Sequence, residues 1–336
     1  MAEPRADTNT GTAGEIEFRH VTKLYRGRRQ PAVNDLSLAI PAGEICVLVG
    51  PSGAGKTTAM KLVNRLIDVT EGEILIDGRD VTRMDQTELR RGIGYVIQQV
   101  GLFPHMSVAD NVATVPRLLG WERTRVRARV RELLELVGLD PDEDGGRYPA
   151  QLSGGQRQRV GLARALAADP PVMLMDEPFG ALDPITRDRL QNEFLRLHRQ
   201  IRKTVIFVTH DIDEAIKMGD KIAILREGGV LAQYASPVEI LTSPADDFVA
   251  QFVGADRALK RLALSNVGDL ELLDSAPDAA SAPVLTLDTS LRDALSQILT
   301  EDGRPLPVSE NGGGKGYVSV ELVTRALSGS GEGAAA

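Results

Sequence analysis

Short apolar runs of strand length punctuate the first part of the chain: Ile45–Val49, Gly94–Ile97, Val172–Met175, Val205–Val208 and Ile222–Leu225. Stretches of helical spacing separate them. That alternation predicts an α/β domain built on a largely parallel central sheet. The domain is expected to open with the strand-like Ile16-Glu17-Phe18 and to run from residue 15 to about Gly254, after a small, polar and mobile N-terminus over residues 1–14. Between Val108 and Ala168 strand patterns disappear. Helical patterns such as Val126–Val137 take over, with Pro141–Gly146 as a polar loop, so an inserted helical subdomain is expected over about residues 100–168. Arg and Glu are interleaved along Arg123–Glu135, which reads as a solvated amphipathic face rather than a nucleic-acid helix.

After Gly254 the pattern changes. Residues 255–336 hold 12 acidic and 7 basic side chains, a net of −5, and a Ser/Ala/Pro/Asp stretch spans Asp274–Pro283. Val284-Leu285-Thr286-Leu287 suits a strand. Leu291, Ala294, Leu295, Ile298 and Leu299 fall at helix spacing behind Thr289 or Ser290 as a cap, and Tyr317–Val320 suits a further strand after a glycine turn. A second, smaller α+β domain is therefore expected over 255–327, followed by a disordered tail over 328–336.

Composition narrows the setting. With 336 residues, the chain has room for one large and one small domain. No run approaches eighteen uninterrupted apolar residues, and Met1–Gly14 lacks the apolar core of a secretory signal, so the protein is expected to stay on the cytosolic side. The single cysteine, Cys46, lies inside a strand run and permits no disulfide framework. A net charge of −8 argues against a nucleic-acid coat or a general attraction to anionic lipid.

The chemistry is concentrated in a few short stretches. Gly50-Pro51-Ser52-Gly53-Ala54-Gly55-Lys56-Thr57 is a complete phosphate-binding loop, lying between the strand Ile45–Val49 and a helix that begins at Thr57-Thr58. Its glycines let backbone N–H groups turn toward phosphates, Lys56 reaches the β- and γ-phosphates, and the Thr57 hydroxyl is offered to Mg²⁺. Leu152-Ser153-Gly154-Gly155-Gln156 is a second phosphate-binding sequence. The strand Val172–Met175 ends in two adjacent carboxylates. This places Asp176 near a metal and Glu177 toward the γ-phosphate, where a carboxylate within reach of a positioned water accepts its proton. His210 ends another buried strand, and its meaning depends on the company it keeps.

Taken together, these residues resemble the ATP-hydrolysing subunits of ABC transporters from about Ile16 to Gly254, with every motif in the expected order. The resemblance implies a P-loop NTPase fold of the ABC type, with ATP and Mg²⁺ as ligands. Tyr25 resembles the aromatic residue that stacks on adenine, Gly50–Thr57 the Walker A loop, and Gln98 the glutamine that touches Mg²⁺ and the attacking water. Leu152–Gln156 resembles the signature motif, followed by Arg157-Gln158-Arg159. Asp176 and Glu177 resemble the Walker B pair, Gly180-Ala181-Leu182-Asp183 the D-loop, and His210 the switch histidine. In this family two copies pair head to tail, so that Ser153 and Gly155 of one subunit would donate to the γ-phosphate held by Walker A of the other.

The segments Gly94–Val108, Asn111–Pro116 and Phe252–Arg257 are similar to the branch that imports glycine betaine, choline and carnitine. That branch implies two membrane-spanning permease subunits, an extracytoplasmic binding protein, a place at the cytoplasmic face of the membrane and no nucleic-acid partner. Another small-molecule importer, such as one for polar amino acids, has the same architecture. A soluble ABC ATPase without a membrane partner usually carries two cassettes or long coiled insertions, and this chain has neither. The small C-terminal domain resembles one CBS repeat, through Leu291-Arg292-Asp293-Ala294-Leu295 and Gly316-Tyr317-Val318-Ser319. In osmoprotectant ATPases, CBS pairs respond to ionic strength or a regulatory nucleotide. Here only one repeat is recognisable, and Leu322 stands near where a nucleotide-binding repeat usually carries aspartate. Both a regulatory contact and a buttress of assembly are open on these residues.

Overall fold

The computed structural model describes residues 13–97, 101–180, 182–274, 283–310 and 313–328. Gln98, Ala181, most of the Asp274–Pro283 stretch, nearly all of the N-terminal segment 1–14 and the tail beyond residue 328 lie outside the described residues. The chain divides between Ser236 and Pro237 into two compact units.

In the first unit, a four-stranded antiparallel sheet is formed by β1 (Ile16–Lys23), β2 (Val33–Ile40), β4 (Glu71–Ile76) and β5 (Arg79–Asp80), in the order β2-β1-β4-β5. A six-stranded sheet follows the order β10-β9-β3-β8-β7-β6, with β3 (Ile45–Val49), β6 (Ile93–Val96), β7 (Val172–Asp176), β8 (Thr204–Val208) and β9 (Lys221–Arg226) mutually parallel and β10 (Val230–Ala235) antiparallel at the edge. The five expected runs are its five parallel strands. All five residues of β3 and all five of β8 are buried, as continuous apolar runs require of strands covered on both faces.

The alternate residues Cys46 and Leu48 of β3, Val172 and Leu174 of β7, and Ile206 and Val208 of β8 share one core with Met60 and Leu62 of the helix Lys56–Val63. Ile16, Phe18, Leu36, Leu38 and Ile74 of the antiparallel sheet belong to the same core. Each such fully buried aliphatic or aromatic side chain contributes about 1.5–3 kcal/mol. This packing fixes the helix on the sheet, and with it the loop between β3 and the helix.

Between residues 101 and 171 no described residue is in a strand. The helices Val108–Val112, Thr114–Leu118, Arg123–Leu136 and Gly154–Leu166 occupy this stretch, as the patterning predicts. Val126, Val130, Leu133 and Leu134 form the buried stripe of the third helix, while its arginines bond to neighbouring carboxylates such as Glu132 and Asp142.

The second unit begins before the expected border at Gly254. The helices Pro237–Thr242 and Asp247–Val253 belong to it because the first packs on Arg257–Leu262, and Lys260 Nζ donates to the carbonyl of Val253 at 2.7 Å. Its sheet has the order β11-β12-β13, with β11 (Leu285–Thr286) parallel to β12 (Leu306–Glu310) and β13 (Gly313–Val318) antiparallel to β12. Leu262, Val267, Leu291, Ile298, Leu306, Val318 and Val323 give this unit its own core. Ser290 caps the helix Leu291–Thr300 through the Asp293 N–H at 3.1 Å. The last strand ends at Val318, short of the expected Val320, because Ser319 Oγ accepts from the Leu322 N–H and the chain turns into the helix Val320–Ser328. Among the described residues no helix is long and apolar enough to cross a membrane.

Candidate active site

β3 ends at the sheet's carboxyl edge, and the chain turns through Gly50–Gly55 into the helix Lys56–Val63. Gly55 has φ +80°, and a Cβ there would lie 2.0 Å from the Ala32 carbonyl oxygen, so the turn admits only glycine. No side chain caps this helix and no acidic residue occupies its first turn, which leaves its positive end facing the cleft. Lys56 is buried, and its Nζ donates to the carbonyls of Gly50 at 2.8 Å and Pro51 at 3.0 Å. Burial pulls its ammonium below the ordinary lysine range, against the opposing charges of Glu177 and Asp176.

Because β7 and β3 flank β8, the carboxyl end of β7 comes up beside the loop. The Thr57 hydroxyl donates to Asp176 Oδ1 at 3.1 Å, across 119 residues of sequence. Burial raises the Asp176 carboxyl above the ordinary aspartate range, although the Thr57 bond opposes it. A hydroxyl and a carboxylate side by side are hard oxygen donors of the kind Mg²⁺ takes beside phosphates and water, so Thr57 and Asp176 could hold that ion. The donor set therefore fits the metal.

Glu177 follows directly, in the left-handed region at φ +43°, with its N–H on the Val208 carbonyl at 2.9 Å. That turn directs its carboxylate off the strand toward His210, whose Nδ1 lies 3.2 Å from Glu177 Oε1. The lining of one open cleft of about 1090 Å³ contains Tyr25, every residue from Gly50 to Thr58, Glu177 and His210. It also contains Arg28, Arg29, Gln30 and Glu227, which sequence reasoning missed. The only signal was a pair of arginines just past Gly27, in a turn that nothing in the sequence ties to the phosphate loop.

Leu152–Gln156 does not line that cleft. Ser153 caps the helix Gly154–Leu166: its Oγ accepts from the Gln156 N–H at 3.2 Å, while Gln156 Oε1 accepts from the Ser153 N–H at 3.0 Å. Gly154 lies against Leu182, and Gly155 against the start of the helix Pro184–Ile201, where a Cβ on it would come 3.3 Å from Thr186. Asp183 caps that helix through the Thr186 N–H at 3.0 Å and is also absent from the cleft lining.

A model of the ABC transporter family matches residues 33–180. The osmoprotectant import ATP-binding protein OsmV of Salmonella typhimurium is 49% identical over 301 residues, covering 89% of this chain and 77% of that protein. The chain belongs to the ABC transporter ATP-binding family. Among its relatives, this ABC ATPase is also 48% identical, over 310 residues, to the glycine betaine/carnitine/choline transport ATP-binding protein OpuCA of Bacillus subtilis, covering 92% of this chain and 79% of that one. A solved ATP-binding cassette, MJ0796, in a dimeric post-hydrolysis state bound to ADP and Pi, is 35% identical, with a TM-score of 0.58, over 66% of this chain and 98% of its own. The cleft of this ABC ATPase thus brings together Gly50–Thr58, Glu177 and His210, while Leu152–Gln156 does not line it.

Proposed function

We propose that this chain is the ATP-hydrolysing subunit that powers import of a quaternary-ammonium osmoprotectant, such as glycine betaine, choline or carnitine, through partner permeases at the cytoplasmic face of the membrane. The ATPase assignment rests on the family. The cargo rests on relatives named for osmoprotectant and for glycine betaine, carnitine and choline transport. An extracytoplasmic binding protein and two membrane-spanning subunits complete the reading, and specificity for the individual osmolyte resides in them.

The observation that carries the mechanism is the separation of the two phosphate-binding sequences. Lys56 and the loop amides receive the phosphates of an ATP, Tyr25 offers a ring for its base, and Glu177 accepts the proton of the attacking water. His210 holds Glu177 at hydrogen-bond distance. Mg²⁺, when bound between Thr57 and Asp176, supplies neutralising charge for the β- and γ-phosphates. Ser153 and Gly155 do not line this cleft, so their donors are placed at the cleft of a second copy in a head-to-tail pair, and a related cassette is dimeric. ATP then joins the two subunits, and loss of the γ-phosphate lets them part, a cycle that tethered permeases convert into alternating access. Gln98 belongs to the same proposal as a ligand of Mg²⁺ and the attacking water. The C-terminal unit, with its own core and a CBS-like order of elements, is the place for regulation by ionic strength or a bound ligand.

The decisive experiment is ATP-driven uptake by the complex reconstituted in liposomes, with betaine, choline, carnitine and proline compared across ionic strength. Uptake of at least one quaternary ammonium compound is expected. ATP hydrolysis coupled only to a polar amino acid would overturn the cargo while leaving the ATPase assignment standing.

A further inference from the structure

A buried polar cluster ties together two segments that the sequence keeps apart. The helix Pro184–Ile201 follows Gly180–Asp183 directly, and Arg187, one turn into it, donates through Nη2 to the Leu182 carbonyl at 3.1 Å. One turn further, Gln191 is 5% exposed, and its Nε2 donates to Glu214 Oε1 at 3.0 Å. Glu214 is 8% exposed and lies in the first turn of the helix Ile212–Met218, where its N–H is held by the capping carboxylate of Asp211 at 3.2 Å. Burial pushes the Glu214 carboxyl above the ordinary glutamate range, against the opposing pull of Thr209, Gln191 and Arg187. Thr209 is itself buried, with its N–H on the Leu48 carbonyl at 3.2 Å and its Oγ1 accepting from the Asp211 N–H at 3.1 Å. His210 stands between Thr209 and Asp211.

Glu214 therefore receives a bond on its carboxyl from the helix behind Gly180–Asp183 and, through its N–H, holds Asp211, the residue that follows His210. A carboxylate buried this far is costly to keep unless it is bonded on several sides. Hydrophobic residues of similar volume would stabilise the fold at least as well, so the packing alone gives no reason for charge at this position. What the cluster does fix is geometry: Asp211, which follows His210 and bonds through its N–H to Thr209, is tied by way of Glu214 and Gln191 to the helix that follows Gly180–Asp183.

Resting on the ATPase reading above, we propose that Glu214 is a positioning residue for hydrolysis, locking Thr209–Asp211, and hence His210 against Glu177, to the Gly180–Asp183 segment through Gln191 and Arg187. None of Arg187, Gln191, Thr209 and Glu214 lines the nucleotide cleft, so the cluster acts on the placement of His210 and not on the binding of ATP.

The test compares wild type, Glu214→Ala, Gln191→Ala and the exchanged pair Gln191→Glu with Glu214→Gln, measuring kcat and KM for ATP and the dissociation constant of ADP. Glu214→Ala should lower kcat about tenfold and Gln191→Ala about threefold, with KM and ADP affinity within about twofold of wild type. The exchanged pair, which keeps an amide facing a carboxylate, should return kcat to within about threefold. A kcat for Glu214→Ala within twofold of wild type overturns the proposal, as does a parallel loss of ADP affinity, or an exchanged pair as slow as Glu214→Ala. If Glu214→Ala does not fold, Gln191→Ala and the exchanged pair decide by the same criteria. Absence of hydrolysis by wild type would instead sink the ATPase reading itself.

Discussion

The substitution Glu177→Gln isolates one chemical function with little change of shape. The amide would keep the length and the carbonyl oxygen of the native side chain, so an N–H on His210 Nδ1 still has an acceptor at the 3.2 Å position, and the backbone bond to Val208 is untouched. The turn at φ +43° is equally available to both residue types. What disappears is the capacity to take a proton from water. General-base catalysis is worth about 10²–10⁴-fold, or about 3–5 kcal/mol of barrier, and that whole loss should fall on kcat. Binding should move the other way, if at all. Glu177 opposes the phosphates electrostatically, as its pull on Lys56 shows, so removing its charge should leave nucleotide affinity unchanged or a few-fold tighter. The assay is phosphate release at saturating ATP, paired with equilibrium binding of ATP and ADP. Phosphate release within threefold of wild type would refute the assignment of Glu177 as base. A variant that lost nucleotide affinity along with turnover would show that Glu177 shapes the cleft rather than the reaction.

Three further outcomes follow from the geometry. Gly55→Ala places a Cβ 2.0 Å from the Ala32 carbonyl at φ +80°, so the protein should lose more than about 1 kcal/mol of stability and most of its nucleotide binding, checked by thermal melting and ADP titration. Asp176→Asn should raise the melting temperature of the nucleotide-free protein at pH 7 while removing Mg²⁺-dependent hydrolysis. Burial raises the folded-state pKa of Asp176, so its stabilising contribution is fully present below the unfolded value and is lost as pH rises through the folded one; the advantage of asparagine should therefore shrink on acidification, and an advantage that grows instead contradicts it. Removing residues 237–336 as one unit should flatten the dependence of transport on ionic strength; an unaltered salt profile would reduce that unit to a buttress.

The parallel strands were legible because they are buried on both faces. A run such as Ile45–Val49 or Val205–Val208 has no polar side to disguise it, and its flanking glycine, carboxylate or histidine then marks the carboxyl end where the chemistry sits. The antiparallel sheet was legible only at Ile16–Phe18. β2 interrupts its alternation at Asn34-Asp35, where Asp35 takes φ +50° and the register with β1 shifts, so hydrophobic periodicity alone does not recover it. The pairing of Thr57 with Asp176 was implied by their motifs, but its geometry depends on β8 lying between β3 and β7, which is a property of strand order and not of any local segment. Arg28, Arg29 and Glu227 reach the cleft on loops whose positions are set by the fold, and nothing near them in sequence announces a phosphate. The border at Pro237 was missed for a related reason: the helices after it are composed like those before it, and only their packing on Arg257–Leu262 assigns them.

Strand order also explains why a site divided between two copies need not act as two independent halves. Within one chain, Glu177 is followed by Gly180–Asp183, and Gly154 and Gly155 at the signature helix pack against Leu182 and Thr186 on the far side of that segment. In the proposed pair, the base for the ATP in one cleft would thus be linked, through Leu182 and Thr186, to the donors for the ATP in the other. A displacement of Ser153 on departure of a γ-phosphate would press on Thr186, which a Cβ on Gly155 would approach to 3.3 Å, and contacts packed this closely transmit strain rather than absorb it. The two clefts of the proposed pair would then be coupled through each subunit's own interior by way of Leu182, Asp183 and Thr186, none of which lines the cleft.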